Sequence, residues 1–355
     1  MTQSDTRVPI ANLYHLLCYA WDALPERDLV EVGAEKPHDV LNLLGHVLVN
    51  SLRPIVRRGF ERGYVLHEKE LYGLRGRIDA ARTYRRNVQW RGRAICSFDE
   101  LSHDTLANRL IKAALSFLLR VEGTTEDLRS DIRNLRREFL AIGDADLEPQ
   151  AFRRAVIHRN NRHYSFVLQV CALIAESLLP EERGEGRTFR DFSRDHQKMA
   201  ALFEQFVFQF YERHASEVGR SGVCRPTIHW AWSCRDHESE AVLPGMRTDV
   251  CLVGGTRPMI IDREFWGDPL KHVHGVRRLP STPLYQLYAY MRNQEDVVGW
   301  ESCDGLLLFP ATEADFDSCY AFQGRTIRAA SVDLRENWEE IHARLVFLGS
   351  APGHS

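Results

Sequence analysis

Apolar residues recur at intervals of three and four near the start of the chain. Leu13, Leu17, Ala20, Trp21 and Leu24 follow Ile10 on one helical face. Val40, Leu41, Leu44, Val47, Leu48 and Leu52 repeat the pattern in a second helix, expected to end near Pro54 because proline lacks the amide a helix needs. The period then shortens. Tyr64-Val65-Leu66, Leu74 to Asp79 and Arg93 to Phe98 read as strands. Helical spacing returns at Leu106, Leu110, Ala113, Leu115 and Leu118, and again at Leu128, Ile132, Leu135 and Leu140. The charged, Gly-rich stretch Gly184-Glu185-Gly186 predicts a loop.

The second half has another grammar. A helix carries Met199, Leu202, Phe203, Phe206, Phe210 and Tyr211. Strands are expected at Thr227–Cys234, Met246–Val253 and Met259–Trp266, then a helix at Pro283–Arg292 and a strand at Gly305–Phe309. Strands near Cys319–Phe322 and Ile327–Val332 precede a last helix through Trp338, Ile341 and Leu345. Helix, three strands, helix, strand describes an α/β sheet with helices on its faces. The 355 residues suggest two domains. The boundary falls near Glu148-Pro149 or in the Gly184 loop. A division into 1–155 and 156–355 follows the earlier placement and gives an α+β chain overall: a mixed helical and β domain, then an α/β domain.

Chemistry concentrates between Met246 and Trp266. Two apolar runs flank Gly254-Gly255, the pattern of a β-hairpin, and each run carries acids. Asp262 and Glu264, two apart on one strand, share a face, and Asp249 on the partner strand reaches the same spot. A single acid at a strand end more often closes a turn or faces water. Here Ile260-Ile261 and Phe265-Trp266 mark a buried strand, where three carboxylates repel one another unless a cation holds them. Oxygen-only ligands favour Mg²⁺ or Mn²⁺, the ions of metal-assisted phosphodiester hydrolysis.

Composition narrows the setting. Hydrophobic residues make up 44% and charged residues 27%, as in soluble globular proteins. No apolar stretch is long enough to span a bilayer, and the polar Met1-Thr2-Gln3-Ser4-Asp5 does not read as a signal peptide, so a cytoplasmic protein is expected. Eight scattered cysteines form no Cys-x-x-Cys pair, which speaks for reduced core thiols, and no zinc site is expected. The net charge of −3 excludes a polyelectrolyte binder. Only five of 46 basic residues are lysine. Arginine suits bidentate phosphate contacts, although a GC-rich genome produces the same bias. No Gly-x-x-x-x-Gly-Lys-Ser/Thr loop occurs, so the chain is not itself a P-loop nucleotide motor.

The order of elements resembles the core of the restriction-endonuclease-like, or PD-(D/E)xK, nucleases. Asp249 and Asp262 match the two metal-binding acids and Glu204 the acid of the preceding helix. Gln286 and Tyr290 fall on the helix that follows the site in that superfamily, where they would support it or contact DNA. The lysine of the motif is replaced by Glu264, which supplies no positive charge but can act as a further ligand or base. Lys271 is the only lysine after Asp249 and so the only one able to substitute from a neighbouring position.

Over nearly its whole length the chain resembles the McrC family, nuclease subunits of McrBC-type modification-dependent restriction systems. The resemblance rests on Ile10 to Trp21, Leu74-Arg75-Gly76-Arg77-Ile78-Asp79, Phe98-Asp99-Glu100-Leu101 with Asp104 and Asn108, Leu202-Phe203-Glu204, and Met246-Arg247-Thr248-Asp249, where Thr248 stands in for a common proline. It implies an N-terminal domain that docks in the pore of a hexameric McrB-like AAA+ GTPase ring and stimulates its hydrolysis of GTP, which the partner binds. It also implies a C-terminal nuclease domain acting on double-stranded, modified DNA. The metal would be held by Asp249, Asp262, the backbone carbonyl of Arg263 and Glu264, with Glu204 acting through water. Arg75, Arg77, Arg82, Arg85 and Arg86 are candidates for the ring interface, against the plainer reading of a solvated charged face. Asp99 or Asp104 is expected to cap the helix that follows. The alternative from another class is an adaptor that keeps the GTPase-stimulating role and has lost cleavage, because Glu264 occupies the lysine position.

Overall fold

A computed structural model describes residues 8–22, 39–155, 157, 161–180, 187–232, 238, 242–264, 271–273, 276–311 and 315–350. The chain forms two compact units, 28–191 and 1–27 together with 192–355. This differs from the expected division at residue 155 in two respects. The first helix, α1 (Ile10–Ala20), packs with the second half of the chain. Its buried Asn12 donates from Nδ2 to the carbonyls of Leu334 and Glu336, both at 2.7 Å, which accounts for a polar residue on that helix's apolar face. At the other end, the helix Tyr164–Glu176 stays with the first unit.

In the unit 28–191, α2 (Val40–Arg58) begins at Asp39, whose carboxylate accepts from the Asn42 amide at 2.8 Å. The helix runs through Pro54 to Arg58 instead of stopping there. Leu52 and Ile55 are buried on either side, and their packing outweighs the one amide that proline removes. A ribbon follows. β1 (Gly63–Tyr72) pairs antiparallel with β3 (Arg93–Ser102), from Gly63↔Ser102 to Tyr72↔Arg93, and β2 (Arg77–Ile78) lines the other edge of β3. Between β2 and β3 lies the short helix α3 (Ala80–Arg85). Gly76 explains the Arg-Gly-Arg-Ile motif. Its φ is +67°, and a Cβ there would run into the Ser97 carbonyl of β3.

Helices α4 (Leu106–Arg120), α5 (Glu126–Arg136), α6 (Pro149–Phe152) and α7 (Tyr164–Glu176) complete the unit with the short pair β4 (Leu178–Pro180) and β5 (Arg187–Phe189). Leu44, Leu48, Leu110, Leu115, Ile132 and Val170 are fully buried on these helices and α2. The acids of the Phe98-to-Asn108 signature are placed otherwise than expected. Thr105 caps α4, accepting from the Asn108 amide at 3.3 Å, while Asp99 lies within β3. Asp104 takes a bidentate contact from Arg109 (2.7 and 2.6 Å) and the Gly143 amide (2.7 Å). Asn108, fully buried, donates to the carbonyls of His103 and Glu61. In this signature both oxygens of Asp104 and the side-chain amide nitrogen of Asn108 are engaged from within the unit, while the Asn108 Oδ1 is buried without a partner.

The candidate interface arginines divide. Arg75 stacks on the Phe98 ring at 4.1 Å and lies 3.8 Å from Glu100, and Arg82 pairs with Glu68 and Asp79. Arg77, Arg85 and Arg86 are exposed without an ion pair among the described residues. Exposed apolar side chains share this region: Tyr64 and Leu101, directly opposite each other, Leu66 beside them, and Trp90, 85% exposed.

The other unit is a mixed sheet between helices. The long helix α8 (His196–His214) starts at Asp195, which accepts from the amides of Gln197 and Lys198. Then come β6 (Gly222–Cys224), β7 (Thr227–Ile228), β8 (Met246–Arg247), β9 (Val250–Val253), β10 (Met259–Arg263), β11 (Lys271–Val273) and β12 (Val276–Arg278). They are followed by α9 (Ser281–Arg292), β13 (Asp304–Pro310), β14 (Asp317–Phe322), β15 (Arg325–Val332) and α10 (Trp338–Gly349). The sheet order is β14-β15-β13-β10-β9-β6; β10, β13 and β15 are parallel and the remaining pairs antiparallel. Alternation sends Val250, Leu252, Ile261 and Leu308 into a core with Phe203, Phe206 and Phe210 of α8. Cys251, Ile260, Leu307 and Phe309 enter the opposite core with Leu287 and Met291 of α9. With helices on both faces, β13 is buried along its whole length.

The strands expected at Gly305–Phe309 and Ile327–Val332 run longer, Asp304–Pro310 and Arg325–Val332, but two others are interrupted. Among the described residues of Thr227–Cys234, only Thr227–Ile228 is a strand, which pairs with β8. Met246–Val253 is broken at Thr248-Asp249. The Gly184 loop, Cys234 and Phe265-Trp266 lie outside the described residues.

Candidate metal centre

The centre is built on the β9–β10 hairpin. Gly254 and Gly255 turn it with φ of 84° and 74°, and a Cβ on Gly254 would overlap the Ser221 side chain. Ile261 pairs with Val250, so continuing the register one step sets Asp262 opposite Asp249. Asp249 sits in the break before β9. Thr248 holds that break: its Oγ1 donates to the Pro226 carbonyl at 3.2 Å, a bond a proline at this position could not make.

Asp262 is 2% exposed, in the middle of the sheet. Its Oδ1 accepts from Gln286 Nε2 on α9 at 3.2 Å. The same nitrogen lies 2.9 Å from the Tyr290 hydroxyl, which donates to the Arg247 carbonyl at 2.9 Å. Gln286 and Tyr290 are one helical turn apart, so α9 holds one oxygen of Asp262 through a fixed chain. Oδ2 of Asp262 is buried with no hydrogen-bond partner. Burial, and then the charges of Asp249 and Glu264, push the Asp262 pKa up to about 8. Burial also raises that of Asp249, against the pull of the Arg263 amide and guanidinium. Glu264, one residue past β10, stays in line because its amide donates to the Leu308 carbonyl at 3.0 Å.

Arg263 belongs to the other face of the strand. Its guanidinium binds Glu204 of α8, and its Nε lies 3.4 Å from Asp249 Oδ2, which also accepts from its amide at 3.1 Å. Glu204 has a second cation, Arg225, at 3.6 Å. The structure therefore joins Glu204 to Asp249 through Arg263. Among the described residues no hydrogen bond or ion pair links it to Asp262 or Glu264. Sequence reasoning placed the Arg263 side chain on the opposite face but missed the pairing of Arg263 and Arg225 with Glu204, because it spans 59 and 21 positions and leaves no local pattern. Lys271 lies on β11 opposite Arg278, and its side chain is outside the described residues.

Two carboxylates on neighbouring strands, that of Asp262 buried with an uncommitted oxygen, suit a small divalent cation. The family described as McrBC 5-methylcytosine restriction system component matches residues 3–310. The chain belongs to the McrBC family. A curated relative, the type IV methyl-directed restriction enzyme EcoKMcrBC of Escherichia coli K12, is 30% identical over 339 residues, 96% of each chain. Among solved structures, a chain of the Thermococcus gammatolerans assembly of McrB AAA+ hexamers with bound McrC superposes with a TM-score of 0.56 at 19% identity. That match covers 98% of this chain and 77% of the other. At that identity the likeness concerns the fold. No helix among its described residues is long and apolar enough to cross a membrane.

Proposed function

We propose that this chain is the nuclease-bearing subunit of an McrBC-type restriction assembly, and that it hydrolyses phosphodiester bonds of double-stranded, modified DNA at Asp249, Asp262 and Glu264. The observation that carries the reading is the buried, unpartnered Oδ2 of Asp262, a carboxyl whose pKa the charges of Asp249 and Glu264 help to raise. The donor set, carboxylates only, fits Mg²⁺ or Mn²⁺, with the Arg263 carbonyl as a further oxygen. When bound, such an ion polarises the phosphate and lowers the pKa of a ligated water. Gln286 fixes the orientation of Asp262, and Tyr290 fixes Gln286. Glu264 replaces the cation of the motif with a carboxylate, which takes a proton from the attacking water. Arg263 offsets the charge of Asp249 and Glu204 from the other face of the sheet. The unit 28–191 docks on a hexameric McrB-like AAA+ GTPase and stimulates its GTP hydrolysis, with Arg77, Arg85 and Arg86 and the exposed Tyr64, Leu66 and Trp90 as the contact region.

A second reading, an adaptor without cleavage, is favoured by one feature: the lysine position presents Glu264 on the Asp262 face, while the nearby guanidinium of Arg263 lies on the other. The test is cleavage of modified DNA by the chain reconstituted with its GTPase partner, GTP and Mg²⁺ or Mn²⁺. Wild type, Asp249→Ala and Glu264→Lys are compared. Cutting by wild type that vanishes in Asp249→Ala, with GTPase stimulation kept, supports the nuclease. An inert wild type that Glu264→Lys makes active supports the adaptor.

A further inference from the structure

A second group of metal-ligating side chains stands at the far end of α8. His214 closes that helix, Glu217 lies in the turn after it and His342 faces them from α10. One ligand atom from each lies within 4.8 Å of the others. The carboxylate of Glu217 stands between the two rings, one oxygen 2.9 Å from His214 Nδ1 and the other 2.9 Å from His342 Nε2. The rings are perpendicular, with centroids 4.6 Å apart. The remaining nitrogen of His214 is 2.9 Å from the Tyr19 hydroxyl on α1. An outer partner of this kind fixes ring orientation and tautomer at metal sites. Both histidines are half-buried and Glu217 is exposed, which leaves an open side for entry.

We propose that His214, Glu217 and His342 form a Zn²⁺ site with one open coordination position, separate from the acidic centre. Two imidazoles with one carboxylate select a borderline transition metal over Mg²⁺, which prefers oxygen alone. Ligands about 2.0–2.1 Å from a tetrahedral Zn²⁺ stand about 3.3 Å apart, so a small rotation of the Glu217 carboxylate admits the ion. Glu204 and His214 are ten positions apart on α8, about 15 Å along its axis, which keeps the two centres independent. The bound ion ties α8 to α10 and, through Tyr19, to α1.

The test uses the full chain, stripped with chelator and titrated calorimetrically with Zn²⁺ alone. An Asp249→Ala, Asp262→Asn background removes uptake at the acidic centre. The expected result is one Zn²⁺ per chain in this background, at least about 100-fold weaker with His342→Gln and about tenfold weaker with Tyr19→Phe. Co²⁺ in place of Zn²⁺ should give visible absorption that His342→Gln abolishes while circular dichroism shows the fold intact. Absence of Zn²⁺ binding, or binding that His342→Gln and Glu217→Gln leave unchanged, overturns the proposal and leaves the trio a hydrogen-bonded clasp. Loss of DNA cleavage at the acidic centre would leave this result untouched.

Discussion

Asp104 and Asp262 are acids in two regions of one chain, and they are treated in opposite ways. Asp104, in the unit 28–191, has both oxygens engaged by Arg109 and one also by the Gly143 amide, and the guanidinium holds its carboxyl below the usual range. Asp262 is more deeply buried, has one neutral donor and an unpartnered oxygen, and its pKa is pushed up to about 8. Both belong to sequence motifs. A motif acid whose bonds close within the protein serves the fold. One left open at a cost in stability is kept for something that arrives later.

The sharpest way to break this contrast is to remove the open acid. Asp262→Ala should lower DNA cleavage by the reconstituted complex at least about a thousandfold while the partner's GTPase stimulation is kept. A fall of tenfold or less would mean that the unpartnered oxygen is not the reactive feature.

Removing the closed acid should harm stability instead. Asp104→Ala leaves the Arg109 guanidinium and the Gly143 amide without their acceptor, and should lower stability by about 1–2 kcal/mol, read as a lower unfolding temperature. Folding lowers the pKa of Asp104, so its contribution is present above the ordinary carboxylate pKa and is lost as pH falls through the folded value.

Asp262 runs the other way. Folding raises its pKa, so its favourable contribution is complete below about pH 4 and is lost as pH rises toward about 8. Asp262→Asn relieves that repulsion and should stabilise the metal-free protein by about 1 kcal/mol near neutral pH, flatten this part of the pH profile, and erase the rise in unfolding temperature on adding Mn²⁺. A destabilised Asp262→Asn protein would place this acid with Asp104.

The sequence carried the hairpin and its three acids because periodicity two, the Gly pair and the flanking aliphatics are local. It did not carry the break at Thr248-Asp249, which depends on a bond to Pro226 more than twenty residues away. Pro54 misled for the same reason: the burial of Leu52 and Ile55 that sustains α2 comes from helices far along the chain. Glu204 was legible as a helix acid in motif order, but its commitment to Arg263 and Arg225 was not. The Asp104 signature was legible as a pattern only. Whether its acids were capped, paired or open had to come from the structure.

The smallest expected effect guards against reading the contrast from ion pairs or pKa shifts alone. Glu126 also has an arginine partner, Arg133 at 2.7 Å, which holds its carboxyl below the ordinary range, as Arg109 does for Asp104. Both members of that pair are exposed. In water the attraction is screened, and fixing two long side chains consumes most of the gain. Glu126→Gln should therefore leave the unfolding temperature, its salt dependence and cleavage within experimental error of wild type. A loss as large as that of Asp104→Ala would mean that the arginine alone sets the value of an acid. The expected absence of effect ties the difference between Asp104 and Asp262 to whether a buried carboxylate's oxygens are answered from within the chain.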